Sequence, residues 1–78
     1  MATVKVLFFG KLTDIAGNEQ LTIEGIDYSN QLIENLEFKF PKIKNNIYSI
    51  AVNNKMIFNS IKLENGDVIA LMPPFSGG

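Results

Sequence analysis

The residues best suited to chemistry stand together at the end of the chain, Pro73-Pro74-Phe75-Ser76-Gly77-Gly78. Elsewhere reactive side chains are scarce. The chain has 0 His and 0 Cys, which removes the usual general base, a thiolate nucleophile and any disulfide, and no metal site is expected. All 7 basic residues are Lys, so no guanidinium fork is available for bidentate phosphate binding. Ser76 has no base to activate it, and Asp14, Glu19 and Glu24 are too scattered to work as a carboxylate pair. What remains is a domain that acts by binding, or through its own backbone end. Pro73 and Pro74 cannot continue a helix or a ladder, and they project the residues after them as an extended stub. Six extended residues reach roughly 20 Å. Gly77 and Gly78 carry no side chain, so a terminal carboxylate on Gly78 can enter a slot that any Cβ would block.

Something must carry that stub. The 78 residues make one small domain, and a core of this size buries roughly 60% of the unfolded chain's surface. A composition of 46% hydrophobic and 19% charged residues is that of an ordinary folded domain. Net charge −1 and a pI of about 5.2 leave no footprint for nucleic acid. Thr3 to Phe9 reads as a first strand, with Val4, Val6 and Phe8 on one face. Lys11 to Ala16 reads as a short helical turn stopped at Gly17-Asn18, and Glu19 to Glu24 as a second strand. From Asp27 to Phe40 the period changes, and Leu32, Ile33, Leu36 and Phe40 mark one helical face. Asp27 or Ser29 is the expected N-cap, and Pro41 stops the helix. A polar connection over Lys42–Asn46 leads to a third strand, Ile47 to Val52. Asn53-Asn54 suggests a tight turn into Met56-Ile57-Phe58. Asn65-Gly66-Asp67 is a turn, in which Asp67 is expected to cap. Val68 to Met72 contains no polar residue, as a strand covered on both faces would. The order predicts an α+β domain, a mixed sheet on one main helix, spanning 1–72, with 73–78 as an extended tail. Val4, Val6, Phe8, Ile69 and Leu71 should form the core with Leu32 and Leu36. Leu7, Phe9, Ala70 and Met72 should face the other way.

These residues together resemble the small subunits of molybdopterin synthase, ubiquitin-like sulfur carriers with a β-grasp fold. The resemblance is carried by Val4-Lys5-Val6-Leu7-Phe8-Phe9-Gly10, by Ala51-Val52-Asn53, and by Leu63-Glu64-Asn65-Gly66-Asp67-Val68-Ile69-Ala70-Leu71. Its most specific part is the Gly-Asp-Val turn followed by Pro73-Pro74-Phe75-Ser76-Gly77-Gly78. Members often carry Arg and an acidic residue where this chain has Thr13-Asp14, and a smaller β-branched residue where it has Phe75. The resemblance implies that an ATP-dependent adenylating enzyme activates the Gly78 carboxylate as an acyl adenylate. A sulfur donor then makes the thiocarboxylate. The tail, Pro73, Pro74, Phe75, Ser76 and Gly77, inserts into the large subunit, and the sulfur passes to a cyclic pyranopterin monophosphate. The family suggests two small and two large subunits. ATP belongs to the adenylating partner, and this chain is expected to bind no cofactor and to supply no catalytic side chain.

Strand parity makes Phe9 and Met72, with Met56, the candidate partner-binding patch beside the tail, unless the chain's own loops cover them. Phe75 either anchors the inserted tail or packs back on its own sheet. Three other readings compete: a sulfur carrier for another product such as the thiazole of thiamine, a protein modifier joined through Gly78 to lysines, and an interaction module with an inert tail. The first residues lack a basic region with a cleavage site. The longest apolar run, Val68 to Phe75, is far short of the ~18 residues of a membrane span. A cytoplasmic setting without membrane or nucleic-acid contact is therefore expected.

Overall fold

The computed structural model describes residues 1–73. In chain order it contains β1 (Ala2–Phe8), α1 (Lys11–Ala16), β2 (Gln20–Ile26), α2 (Ser29–Lys39), a 3-10 helix (Pro41–Asn45), β3 (Ser49–Val52), β4 (Lys55–Ile57) and β5 (Val68–Met72). The strands form one mixed sheet in the order β2-β1-β5-β3-β4. β1 and β5 run parallel at its centre, and the other neighbours are antiparallel. Central placement suits the apolar run of β5, but only one of its faces is covered: Ile69 and Leu71 are buried, whereas Val68, Ala70 and Met72 on the other face are partly buried, so the expected cover on both faces is not found. No helix among the described residues is long and apolar enough to cross a membrane.

One face of the sheet is covered by α2. Val4, Val6, Phe8, Ile69 and Leu71 point into the core and meet Leu32 and Leu36 of the helix, all of them buried, as the alternation predicts. Burial of each such side chain contributes about 1.5–3 kcal/mol. Phe8 and Phe40 stack edge to face, with ring centroids 6.1 Å apart. Two further plugs escape the sequence pattern. The expected polar connection after α2 is a 3-10 helix that drives Ile43 fully into the core. Leu63, in a stretch of ambiguous period, is buried without belonging to a strand, held by its N–H donating to the Asp27 carbonyl.

The start of α2 differs from expectation. Its N-cap is Tyr28, not Asp27 or Ser29. The Gln31 side-chain oxygen reaches back and accepts from the N–H groups of both Asp27 and Tyr28. Ser29 is diverted: its N–H donates to the Ile61 carbonyl, and its hydroxyl accepts from the Ile61 N–H at 2.9 Å. That exchange ties the 58–62 segment to the helix. The helix then ends at Lys39, short of Phe40.

Strand limits shift for equally local reasons. β2 continues past Glu24 because the register slips between Ala2 and Val4, and Gly25, at φ 77°, absorbs the extra residue as a bulge. β3 begins at Ser49, leaving Ile47 exposed. Asn53 and Asn54 have φ 50° and 71°, the two left-handed positions of a tight hairpin turn, so β4 begins at Lys55. Asp67 caps the final turn as expected, accepting from the Glu64 N–H at 2.8 Å. Its second oxygen accepts from the Asn53 amide at 2.9 Å, and the Asn53 side-chain oxygen accepts from the Val68 N–H. This clasp joins two turns and fixes where β5 starts.

Tyr48 donates its hydroxyl to Glu37 of α2 at 3.3 Å. Burial, then the nearby Glu37 charge, then that hydrogen bond push its phenol from 10.0 up to about 12. The folded chain therefore keeps a proton that the unfolded chain has already lost, and stability falls as pH rises from 10.0 to about 12. Urea titrations across this range should show the fall, with a late tyrosinate absorbance step, and Tyr48→Phe should remove both.

Candidate functional site

The face of the sheet opposite α2 is open. Cross-strand registers line up Gln20 with Leu7, Leu7 with Ala70, Ala70 with Ala51, and Ala51 with Met56. This row crosses all five strands, and four of its five residues are apolar. One step along the strands, Met72 pairs with Ser49, and Phe9 follows directly on β1. Phe9 is 46% exposed and Met56 47%, so both keep about half their surface in water. Met72 and Ala70 are partly buried, while Ala51 is buried without touching the main core cluster. Two alanines at the centre leave a shallow floor, and Phe9, Met72 and Met56 stand around it. Two charged residues of the described strands share this face, Lys5 and, by the alternation of β2, Glu24, and both lie at the far end from Met72. A contiguous apolar patch of this kind, low in charge at its middle, has the character of a protein-docking surface.

Strand parity in the sequence places Phe9 and Met72 away from the helix, and the register agrees. Met56 joins them through the Asn53-Asn54 turn. The contribution of Ala51 has no local signal in the sequence, because it depends on β3 pairing with β5. Pro73, the last described residue, leaves β5 at the Met72 end of this face. Pro74, Phe75, Ser76, Gly77 and Gly78 lie outside the described residues.

Among the described residues, the middle row of this patch holds apolar side chains and no acid or base. Comparison with known proteins sharpens this. A sequence profile of the ThiS family matches residues 6–78. The chain belongs to the ThiS family. Among relatives, it is 33% identical over 81 residues to the molybdopterin synthase sulfur carrier subunit of Dictyostelium discoideum, covering 95% of this chain and 94% of that one. Among solved structures, small archaeal modifier protein 1 of Methanosarcina acetivorans superposes with a TM-score of 0.86 at 28% identity, over 100% of this chain and 98% of that one. A protein–protein complex of subunits 1 and 2 of the molybdopterin-converting factor from Helicobacter pylori contains a chain matched at TM-score 0.71 and 32% identity, over 97% of this chain and 99% of that one. The fold of this ThiS family member is thus the ubiquitin-like β-grasp, a five-stranded mixed sheet on one main helix.

Proposed function

We propose that this domain is the sulfur carrier subunit of a molybdopterin synthase. The observation that carries the reading is the apolar face bounded by Phe9, Met56 and Met72, with the tail leaving at its Met72 end. It is supported by 33% identity to a molybdopterin synthase sulfur carrier subunit. It is supported again by likeness to a chain of the Helicobacter pylori complex of subunits 1 and 2. On this reading the face docks first on an ATP-dependent adenylating enzyme and later on the large subunit, and the tail enters each partner's active site.

The chemistry follows from the poor electrophilicity of a carboxylate. The Gly78 carboxylate attacks the α-phosphorus of ATP in the partner, and pyrophosphate leaves. A sulfur donor attacks the acyl adenylate, AMP leaves, and the terminus becomes a thiocarboxylate. In the large subunit the sulfur takes the place of an oxygen on a carbon of cyclic pyranopterin monophosphate, the carbon–oxygen bond breaking as the carbon–sulfur bond forms. Water then cleaves the acyl–sulfur bond and returns the terminus to a carboxylate. Two transfers supply the two sulfurs of the dithiolene. Gly77 and Gly78 keep the channel free of side chains, and every acid and base comes from the partner. The setting is cytoplasmic, where ATP is at hand.

A second reading is favoured by the likeness to small archaeal modifier protein 1: the same acyl adenylate passed to a lysine amine instead of to sulfur. Incubation with the adenylating enzyme, ATP and sulfide separates the two. The carrier reading expects the mass change of sulfur for oxygen on the terminal peptide. An unchanged carboxylate contradicts it, and conjugation to added proteins in place of sulfur favours the modifier.

A further inference from the structure

β1 and β5 run parallel with Leu7 beside Ala70 and Phe8 beside Leu71, and the Phe9 N–H still donates to the Leu71 carbonyl at 3.1 Å. Two more steps of that register put Gly10 beside Pro73. Here the strands part. Pro73 has no N–H to extend the ladder, and its ring holds its own φ. Gly10 turns β1 away at φ 59° and ψ −140°, a region that residues with a Cβ rarely enter. The two touch as they separate: a Cβ on Gly10 would lie 2.6 Å from Pro73 Cγ and 3.3 Å from Cδ. Such a contact is possible only without a side chain. The turn that carries Gly10 is itself clamped. The Thr13 hydroxyl donates to the Phe8 carbonyl at 2.9 Å, the Thr13 N–H to the Gly10 carbonyl at 3.1 Å and the Leu12 N–H to the Phe9 carbonyl at 3.2 Å.

We propose that Gly10 is a positioning residue for the tail: its bare Cα, held by the clamped turn, is the stop on which the Pro73 ring seats and which aims the residues beyond Pro73. Pro73 precedes Pro74, so its backbone is confined to the extended region and passes the direction on rather than dissipating it. The proposal rests on the carrier reading for its functional consequence, since an aimed tail matters where the terminus must reach a reaction centre. Binding through the sheet face and delivery of the terminus are then separable, the first set by Phe9, Met56 and Met72 and the second by Gly10 and Pro73.

The test compares Gly10→Ala with Gly17→Ala in the full chain. Gly17 also has positive φ, 72°, but a Cβ there meets no atom within 4 Å. Both variants carry backbone strain, and only the first displaces Pro73. Isotope-labelled protein reports the aim directly, through residual dipolar couplings of the Phe75 and Ser76 amides. These should change in Gly10→Ala and hold in Gly17→Ala. With the adenylating enzyme, Gly10→Ala should lower kcat about tenfold or more with KM nearly constant, since a reacting group displaced by about 1 Å can cost on the order of 100-fold. Pro73→Ala, which deletes the ring, should lower kcat too, and the double variant should be no worse than the poorer single, as expected for one shared contact. Unchanged couplings in Gly10→Ala, or a kcat matching that of Gly17→Ala, overturn the proposal. If the wild-type chain is not adenylated at all, the carrier reading falls while the couplings still decide the aim.

Discussion

One residue added after Gly78 should abolish thiocarboxylate formation and leave the melting temperature where it was. On the carrier reading the reacting group is the main-chain carboxylate of Gly78. Added Ala converts that carboxylate into an amide and moves the new terminus about 3.5 Å further along an extended chain. The acyl carbon then misses the α-phosphate, and the new terminal residue brings a Cβ into a channel sized for glycine. Loss should reach the assay floor rather than a partial defect, because a misplaced carboxylate has no other route to the adenylate. The fold should not notice. The buried core runs from Ala2 to Leu71, and surface changes away from such a core usually stay within about 0.5 kcal/mol. Gly78→Ala should lie between the two, slowed but measurable. The readouts are mass spectrometry for the sulfur and thermal melting for the domain. An extended chain that still accepts sulfur would place the chemistry elsewhere.

Phe9→Ala and Met56→Glu should each weaken binding to the large subunit about thirtyfold or more, on the order of 2 kcal/mol for an aromatic anchor or a buried uncompensated charge. Both side chains keep about half their surface exposed in the free domain, so neither change opens a large cavity. Phe38→Ala is the control. Phe38 is 87% exposed but stands on α2, the element that covers the opposite face of the sheet. If exposed aromatic surface alone were responsible, Phe38→Ala would weaken binding as much as Phe9→Ala. If the sheet face is the interface, Phe38→Ala binds as wild type. Calorimetric titration of the large subunit measures all three.

Much of the fold is legible in the residues because it depends on periods the chain states locally. Alternation through Val4, Val6 and Phe8, and through Ile69 and Leu71, names the core face of the two central strands. By the same parity it sends Phe9 and Met72 to the other side. Leu32 and Leu36 name the helix face that answers them. The features that escape depend on partners distant in sequence. Ser29 looks like a cap until Ile61 claims its hydroxyl. Ile43 sits in a lysine-rich connection, yet it fills the core from a 3-10 turn. The second strand reads as ending at Glu24, yet Gly25 forms a bulge that lets it continue to Ile26. Ala51 carries no signal of its own, and its place at the centre of the open face comes only from pairing with Ala70 and Met56. Gly10 reads as a stop signal after a strand. Its second use, contact with Pro73, needs the parallel register of β1 and β5.

The most direct measurement is the intact mass of this chain isolated from its own cells, with the terminal peptide fragmented to locate any change. A sulfur carrier should show a fraction with sulfur in place of one oxygen at Gly78, rising when the large subunit is deleted and the sulfur has nowhere to go. Gly78 found joined to lysines of other proteins, with no thiocarboxylate even in the deletion strain, would contradict that role.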